Sequence, residues 1–224
     1  MTLIYELSAA EENYLKAIFK IYERTQKNAS TNAISKLMKT SAASVTDMIK
    51  RLSEKKLINY EPYKGVSLTF DGNKIATQLI RKHRLWEVFL VKKLRFGWDQ
   101  VHEIAEQLEH IQSKDLVTRL DAYLDYPKFD PHGDPIPNAE GKFTLRAQTV
   151  LIDMHKGQEG MVVGVRNNDS DFLKYLNKLN IKLGTSISII DAIPFDGSME
   201  ITIDNKATIQ ISKVVASNLL LKKT

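Results

Sequence analysis

The spacing of apolar residues changes once along this chain, and that change limits what the chain can fold into. Up to about residue 125, apolar side chains recur every three or four positions, the repeat of helices that bury one face. From residue 143 onward they fall in short β-branched runs, at 150–152, 160–165, 186–190, 200–203 and 208–211, broken by one helical stretch at 170–179. Between the two regimes, residues 126–141 hold four of the six prolines and two of the ten glycines. Proline fixes φ and removes a backbone donor, so such a segment ends helices and strands alike and reads as a linker. The chain is therefore expected to be α+β and multidomain, with a linker over 126–142 and a C-terminal domain over 143–224. Several short strands in about 80 residues suggest a small β-barrel of SH3-like type, since closure removes exposed strand edges.

Residues 1–73 read as a winged helix-turn-helix. Ser8 followed by Glu11 and Glu12 has the form of a capping box, opening a helix through about Arg24 with Tyr14, Leu15, Ile18, Phe19 and Tyr22 as its apolar stripe. After a polar break at 25–30, Thr31-Asn32 is expected to cap a short helix carrying Ile34 and Leu37. A turn at 39–41 leads to a second helix, 42–55, with Val45, Met48, Ile49 and Leu52 facing inward. Two β-prone segments, 57–60 and 66–70, flank the turn Glu61-Pro62-Tyr63-Lys64-Gly65. Two helices across a tight turn, followed directly by a hairpin, is the order of a winged DNA reader.

The surface of that unit suits an anionic partner. Between Lys36 and Lys64 there are seven basic residues (Lys36, Lys39, Lys50, Arg51, Lys55, Lys56, Lys64) against three acids (Asp47, Glu54, Glu61). The second helix begins among small and hydroxylated residues. Such a helix end fits a major groove, where hydroxyl and backbone N–H groups donate to phosphates. Thr40, Ser41, Ala43, Ser44, Thr46, Asp47, Lys50, Arg51 and Lys64 are the expected contacts with double-stranded DNA. Asp47 can accept from a cytosine amino group, but it repels phosphate. Solvated lysines on an ordinary helical domain would carry the same charge; the hairpin directly after the second helix favours DNA.

Residues 74–125 read as a helical domain with a second chemistry. A long helix is expected over 74–94. Past Gly97-Trp98-Asp99 comes another, with Asp99 as its expected cap, and then a short helix at 115–124. Three of the five histidines, His83, His102 and His110, are interleaved here with Glu87, Glu103, Glu106 and Glu109. At about 100° per residue, His102, Glu106, Glu109 and His110 fall within an arc of about 100°. Val101, Ile104, Ala105, Leu108 and Ile111 lie opposite. His83 and Glu87 are i,i+4 on the preceding helix and share a face. Imidazole nitrogens and carboxylate oxygens so spaced are the donors that hold a divalent first-row metal. Any one of these residues alone would more often belong to a solvated acidic face. Their repetition on two successive helices favours metal.

Charge and cysteine content narrow the class. A net charge of +5 and a pI near 9.2 favour an anionic partner. With no cysteine there are no disulfides, thiolate ligands or thiol nucleophiles, which fits a cytoplasmic location. No apolar run approaches the ~20 residues of a transmembrane helix, and the N-terminal sequence lacks the basic and apolar segments of a signal peptide. No membrane association is expected.

Six segments together carry a resemblance. They are E-E-N-Y-L-K-A-I (11–18), S-V-T-D-M-I-K-R-L (44–52), L-T-F-D-G-N-K-I-A (68–76), R-K-H-R-L-W-E (81–87), V-H-E-I-A-E-Q-L-E-H (101–110) and D-P-H-G-D-P-I-P (130–137). In this order they resemble the diphtheria toxin repressor family of iron- and manganese-dependent transcriptional regulators, over nearly the whole chain. The C-terminal part is similar to the SH3-like domain of ferrous iron transport protein A. The resemblance implies a homodimeric repressor whose helical middle domain binds metal and dimerises, and which binds operator DNA when activated by Mn2+ or Fe2+. It also implies two metal positions. The primary one corresponds to Asn13, Glu106, Glu109 and His110. The ancillary one corresponds to His83, Glu87 and His102, with Asn168 and Asp171 as counterparts from the C-terminal domain. Iron-type members carry Cys at the Glu106 position and a thioether at the Asn13 position, whereas manganese-type members carry Glu and Asp. This chain has the Glu, with an amide in place of the acid. Members that hold a metal pair use an acid where this chain has Lys16, so a pair of that kind is not expected.

A rival from another class is a metallohydrolase. His102-Glu103-Ile104-Ala105-Glu106 departs from the zincin H-E-x-x-H only at its last position, but no third ligand or Gly-rich substrate loop accompanies it. No enzymatic activity is expected. A metal-storage module without a DNA role would leave the basic hairpin region unexplained.

Overall fold

The computed structural model describes residues 6–61 and 64–224. Pro62 and Tyr63 of the expected hairpin turn, and the start of the chain at 1–5, lie outside the described residues. Two compact units emerge. The first comprises Met1–His83, Glu106–Val117 and Pro137–Phe143, and the second Arg84–Ala105, Thr118–Ile136 and Thr144–Thr224.

In the first unit, helix α1 (Ala9–Thr25) starts at Ser8, whose side chain accepts from the Glu11 N–H while the Glu11 carboxylate returns to the Ser8 backbone. This reciprocal cap satisfies two otherwise orphaned donors. Helix α2 (Thr31–Met38) is capped one residue earlier than expected. Ser30 is extended and its Oγ accepts from Ala33 N at 3.1 Å, which leaves Thr31 as the first helical residue. Helix α3 (Ala42–Glu54) is capped by Ser41. Strands β1 (Ile58–Glu61) and β2 (Gly65–Leu68) pair antiparallel, Ile58 opposite Leu68. The core joins Leu15 and Ile18 of α1, Ile34 of α2, Val45, Ile49 and Leu52 of α3, and Val66 of β2. Most of the expected periodic positions are thus buried or half-buried, but Tyr22 and Leu37, expected on the apolar stripes of α1 and α2, are exposed.

Helix α4 (Phe70–Lys92) begins four residues before the expected start. Thr69 explains this: its Oγ1 accepts from Gly72 N at 3.2 Å, and its carbonyl accepts from Asn73 N at 2.8 Å. Gly72 is therefore part of the first turn rather than a break. A Cβ there would lie 2.0 Å from the Leu57 carbonyl oxygen, so close approach of two backbones requires glycine. Helix α5 (His102–Leu108) is shorter than the arc of ligands assumed, placing Glu109 and His110 in the turn that follows. Asp99 does not cap it; its Oδ1 accepts from Asn177 Nδ2 at 3.2 Å. Helix α6 (Lys114–Tyr123) comes next.

The second unit is built on a six-stranded antiparallel sheet ordered β3-β8-β4-β5-β6-β7. Its strands are β3 (Thr149–Val150), β4 (Glu159–Val165), β5 (Ser186–Ala192), β6 (Met199–Ile203), β7 (Ala207–Ile211) and β8 (Leu219–Lys223), with helices α7 (Ser170–Lys178) and α8 (Lys213–Ala216) between strands. Strand β3 is cut to two residues because Leu151–Asp153 turn into a 3-10 helix. Strand β8, absent from the sequence expectation, lies between β3 and β4 with Leu219 and Leu221 buried. Val162, Leu173, Leu176, Ile187, Ile201 and Leu221 form the centre of this core. Among the described residues no helix is long and apolar enough to cross a membrane.

Candidate metal centre and nucleic-acid interface

One turn of α1 carries Glu12, Asn13 and Lys16, and in the first unit it meets residues from α4 and from the end of α5. Glu109 is fully buried and central. Its Oε1 lies 2.5 Å from Lys16 Nζ, and its Oε2 lies 2.5 Å from Nδ1 of His83 on α4. Lys16 Nζ also reaches Glu106 Oε1, at 3.0 Å. His110 turns Nδ1 toward Glu12 Oε2, at 2.5 Å, and its Nε2 lies 3.9 Å from Glu109 Oε1. Gln112 Nε2 donates to the other Glu12 oxygen at 2.8 Å. Lys82 borders the cluster. Burial lowers its pKa, while the Glu12 and Glu109 carboxylates act in the opposite direction.

Asn13 Oδ1 is buried with no hydrogen-bond partner. An unpaired buried acceptor costs about 1–3 kcal/mol, so it calls for a donor or a cation. Two carboxylates, imidazole nitrogen and an amide oxygen form a donor set suited to a hard or borderline divalent ion. The residues fit such a metal.

A second cluster lies within the second unit. His102 Nδ1 is 3.3 Å from Glu87 Oε1, and His132 Nδ1 is 3.6 Å from Glu87 Oε2. One ligand atom each from Glu87, Asp130 and His132 fall within 4.8 Å of one another, and all three residues are buried. The loop builds this geometry itself. Asp130 Oδ1 accepts from the N–H groups of His132 (2.8 Å) and Asp134 (3.0 Å), and Gly133, at φ +89°, lets the turn pack against β4. His132 Nε2 donates to the Trp98 carbonyl at 2.7 Å, which leaves Nδ1 facing the acids. Burial pushes the Asp130 carboxyl up to about 7, helped by Asp134 and Glu87. Burial opposes protonation of His132, but hydrogen bonding and charge from Glu87, with Asp130, push it up to about 9.

Sequence reasoning placed Glu106, Glu109 and His110 together, and they do converge, beside the α1 turn that holds Asn13. His83 turns Nδ1 toward Glu109 Oε2, and it also keeps its expected ancillary grouping, since one ligand atom each from His83, Glu87 and His102 lie within 4.8 Å of one another. Glu87 and His102 meet as expected. Asp171 stands exposed on α7, 3.4 Å from Lys174, and belongs to neither cluster. Asp130 and His132 are not among the expected ligands, because the prolines around them mark the segment as a linker. The signal was Asp-Pro-His-Gly-Asp, acid and imidazole two apart on a turn. Glu12 was missed as well, although Glu12 and Lys16 are i,i+4 on α1.

On the putting-forward face of α3, Ser41, Ala43, Ser44, Thr46, Asp47, Lys50 and Arg51 are exposed, as is Lys64 beside β2, while Thr40 is half-buried. Ser41 Oγ accepts from Ser44 N at 3.1 Å and Thr46 Oγ1 donates to Ala42 O at 2.9 Å, which fixes both hydroxyls near the helix start. Lys64 pairs with Glu61 at 2.7 Å. Thr31, Thr46, Ile49, Lys50, Ser53 and Tyr60 help to line a groove of ≈ 370 Å³.

Residues 6–66 match the iron dependent repressor N-terminal DNA binding domain. Residues 69–138 match the iron dependent repressor metal binding and dimerisation domain, and 149–223 the FeoA domain. An HTH-type transcriptional regulator of Methanocaldococcus jannaschii is 31% identical over 119 residues, covering 53% of this chain and 95% of the relative. The diphtheria toxin repressor of Corynebacterium efficiens is 26% identical, covering 95% of this chain and 99% of its own. A manganese-dependent transcriptional repressor, solved in complex with manganese, superposes with a TM-score of 0.85 at 32% identity, covering 96% of this chain and 100% of that one. The metallohydrolase alternative gains no support from these relatives. The chain belongs to the iron-dependent repressor family and is a metal-dependent, DNA-binding transcriptional repressor rather than an enzyme.

Proposed function

We propose that the cluster around Glu109 is the regulatory metal site, with Glu106, Glu109, His110 and the Asn13 amide oxygen as ligands, and that its filling controls operator binding by a homodimer in the cytoplasm. One observation carries this: the turn of the first helix whose Glu12 and Lys16 contact His110 and Glu109 also carries Asn13, whose side-chain oxygen is buried without a hydrogen-bond partner. A bound Mn2+ or Fe2+ supplies positive charge that these oxygens and the imidazole share. The chain's own residues supply the rest. Glu106, Glu109 and His110 hold one side, α1 the other, and fixing α1 fixes the α2–α3 reader behind it. A dimer then presents two α3 helices to half-sites about one helical turn apart. The manganese complex of the 32%-identical relative supports manganese as an activator here.

Glu87, Asp130 and His132, with His102, form the second metal position, and His83 supports the first through Glu109. On α3, Lys50 and Arg51 contact phosphates, the hydroxyls at 40–46 approach the groove floor, and Asp47 faces bases.

The test is fluorescence anisotropy on operator DNA at buffered free Mn2+. Glu109→Ala and His110→Ala should lose metal-stimulated binding with the far-UV circular dichroism unchanged, and His83→Ala should weaken the response without abolishing it. A normal metal response in both Glu109→Ala and His110→Ala would place the regulatory site elsewhere.

A further inference from the structure

Helices α1 and α4 frame the Glu109 cluster, and one short segment is fastened to both. Residues 137–143, expected at the end of a linker, belong to the first unit. They build a turn of their own. The Asn138 side-chain oxygen accepts from the Glu140 and Lys142 N–H groups at 3.1 and 2.8 Å, and the Asn138 N–H donates to the Lys142 carbonyl at 2.9 Å. Helix α4 holds this turn by two carbonyls. Buried Arg81 donates from Nη1 to Pro137 O at 2.7 Å, and Gln78 donates from Nε2 to Ala139 O at 2.6 Å. Gly141, at φ +79°, packs on buried Thr77, where a Cβ would lie 2.8 Å from Thr77 Oγ1. The far end crosses to α1. There the Phe143 ring stacks on Phe19, with centroids 5.9 Å and planes 21° apart. Fixing each of these residues costs conformational entropy that a plain tether would keep.

We propose that residues 137–143 are a strap that sets the spacing of α1 and α4, and that Gly141 and Phe143 are positioning residues for the regulatory metal site. This rests on the reading of the Glu109 cluster as that site. The cluster brings Lys16 from α1 and His83 from α4 to the same carboxylate, Glu109, so its geometry depends on how the two helices stand. Phe19 lies one turn beyond Lys16, and Arg81 lies two residues before His83.

A bound ion can fix this relation by itself, but part of its binding free energy then goes into ordering α1. With the strap in place the arrangement exists before the ion arrives. Apparent affinity rises with the fraction of molecules that already hold it. The strap's partners Phe19, Thr77, Gln78 and Arg81 are neither proposed ligands nor part of the exposed face of α3. The strap therefore acts on the metal concentration required, and not on the grip on DNA once metal is bound.

The experiment uses the full chain freed of metal by chelation, for the parent, Phe143→Ala, Phe143→Tyr and Gly141→Ala. Operator binding is followed by anisotropy against buffered free Mn2+, and amide hydrogen exchange of α1 is followed with and without metal. Phe143→Ala should raise the Mn2+ concentration for half-activation about three- to tenfold, the scale of one aromatic pair. DNA affinity at saturating Mn2+ should be unchanged. Helix α1 should exchange faster than in the parent without metal, and at the parent's rate with it. Gly141→Ala keeps the ring but strains the turn, and should behave alike. Phe143→Tyr keeps the stack and should match the parent. Unchanged half-activation in both Phe143→Ala and Gly141→Ala would overturn the proposal, and so would a loss of DNA affinity that saturating Mn2+ does not restore. Glu109→Ala separates this inference from the site assignment. If Glu109→Ala responds to Mn2+ as the parent does, the regulatory-site assignment fails. If it loses the response while the Phe143 and Gly141 variants match the parent, only the strap fails.

Discussion

Nδ1 of His110 lies 2.5 Å from Oε2 of Glu12, joining an imidazole in the turn after α5 to a carboxylate on the first helix. Gln112 holds the other oxygen of Glu12, so the carboxylate has little freedom to rotate. The consequence falls on the far ring nitrogen. With Nδ1 committed to Glu12, Nε2 is directed toward Glu109. A carboxylate on the outer nitrogen of a metal-binding histidine fixes its tautomer and raises its basicity.

Glu12→Gln should therefore weaken Mn2+ binding by about 10–100-fold, the usual effect of losing such a partner. The amide preserves shape and hydrogen bonding, so the fold should stay intact. Competition against a fluorescent chelator measures the affinity. An unchanged affinity would show that Glu12 serves the packing of α1 alone.

The exposed face of α3 separates phosphate contacts from base contacts. Lys50→Ala or Arg51→Ala should weaken binding to every DNA sequence and lower the slope of log K against log salt by about one. Asp47→Ala should change the ranking of operator variants more than the mean affinity. Equal effects of Asp47→Ala on all sequences would mark Asp47 as a general repulsive charge.

Gly133 is the geometric condition of the second cluster. A Cβ there would meet the Val163 carbonyl oxygen at 2.1 Å, at a φ of +89° that side chains avoid. Gly133→Ala should cost more than about 1 kcal/mol in denaturant unfolding. It should also remove one manganese equivalent by displacing Asp130 and His132, while the Glu109 cluster keeps its own. Full stability with unchanged stoichiometry would count against both the packing and the second metal position.

Much of this was legible in the sequence because it is local. Ser8 with Glu11 announces a capped helix, and the stripes on α1 and α3 name most of their buried faces, Tyr22 at the end of α1 being the exposed exception. The Glu106, Glu109 and His110 convergence was legible too, although by a partly mistaken route. The helix ends at Leu108, and a turn carries the last two residues to Lys16 and Glu12. What stayed hidden depends on long-range pairing. Leu219 to Lys223 shows no clear alternation, and it is a strand because β3 and β4 flank it. Asp130 and His132 lie among prolines, where composition suggests a tether. Only the fold reveals that Asp130 organises its own loop and holds His132 beside Glu87.

Metal identity is the sharpest remaining test. The proposed ligands are an amide oxygen, two carboxylates and an imidazole, with no sulfur, since the chain has no cysteine. Oxygen-rich sets suit manganese, and thiolates suit softer ions. Affinity alone follows the Irving–Williams order, so zinc should bind at least as tightly as manganese. Geometry must then discriminate. Zinc is satisfied by about four ligands in a tetrahedron, whereas manganese favours a larger, octahedral oxygen set. An ion that needs more oxygens keeps Asn13 on α1 engaged together with Glu106 and Glu109. Mn2+ and Fe2+ should therefore activate operator binding fully, and Zn2+ should bind but activate less. Glu106→Cys should narrow or invert that difference by giving zinc a thiolate. Anisotropy against each metal at buffered free concentration decides the matter. Full activation by Zn2+ with a weak response to Mn2+ would defeat the manganese assignment and leave the repressor itself standing.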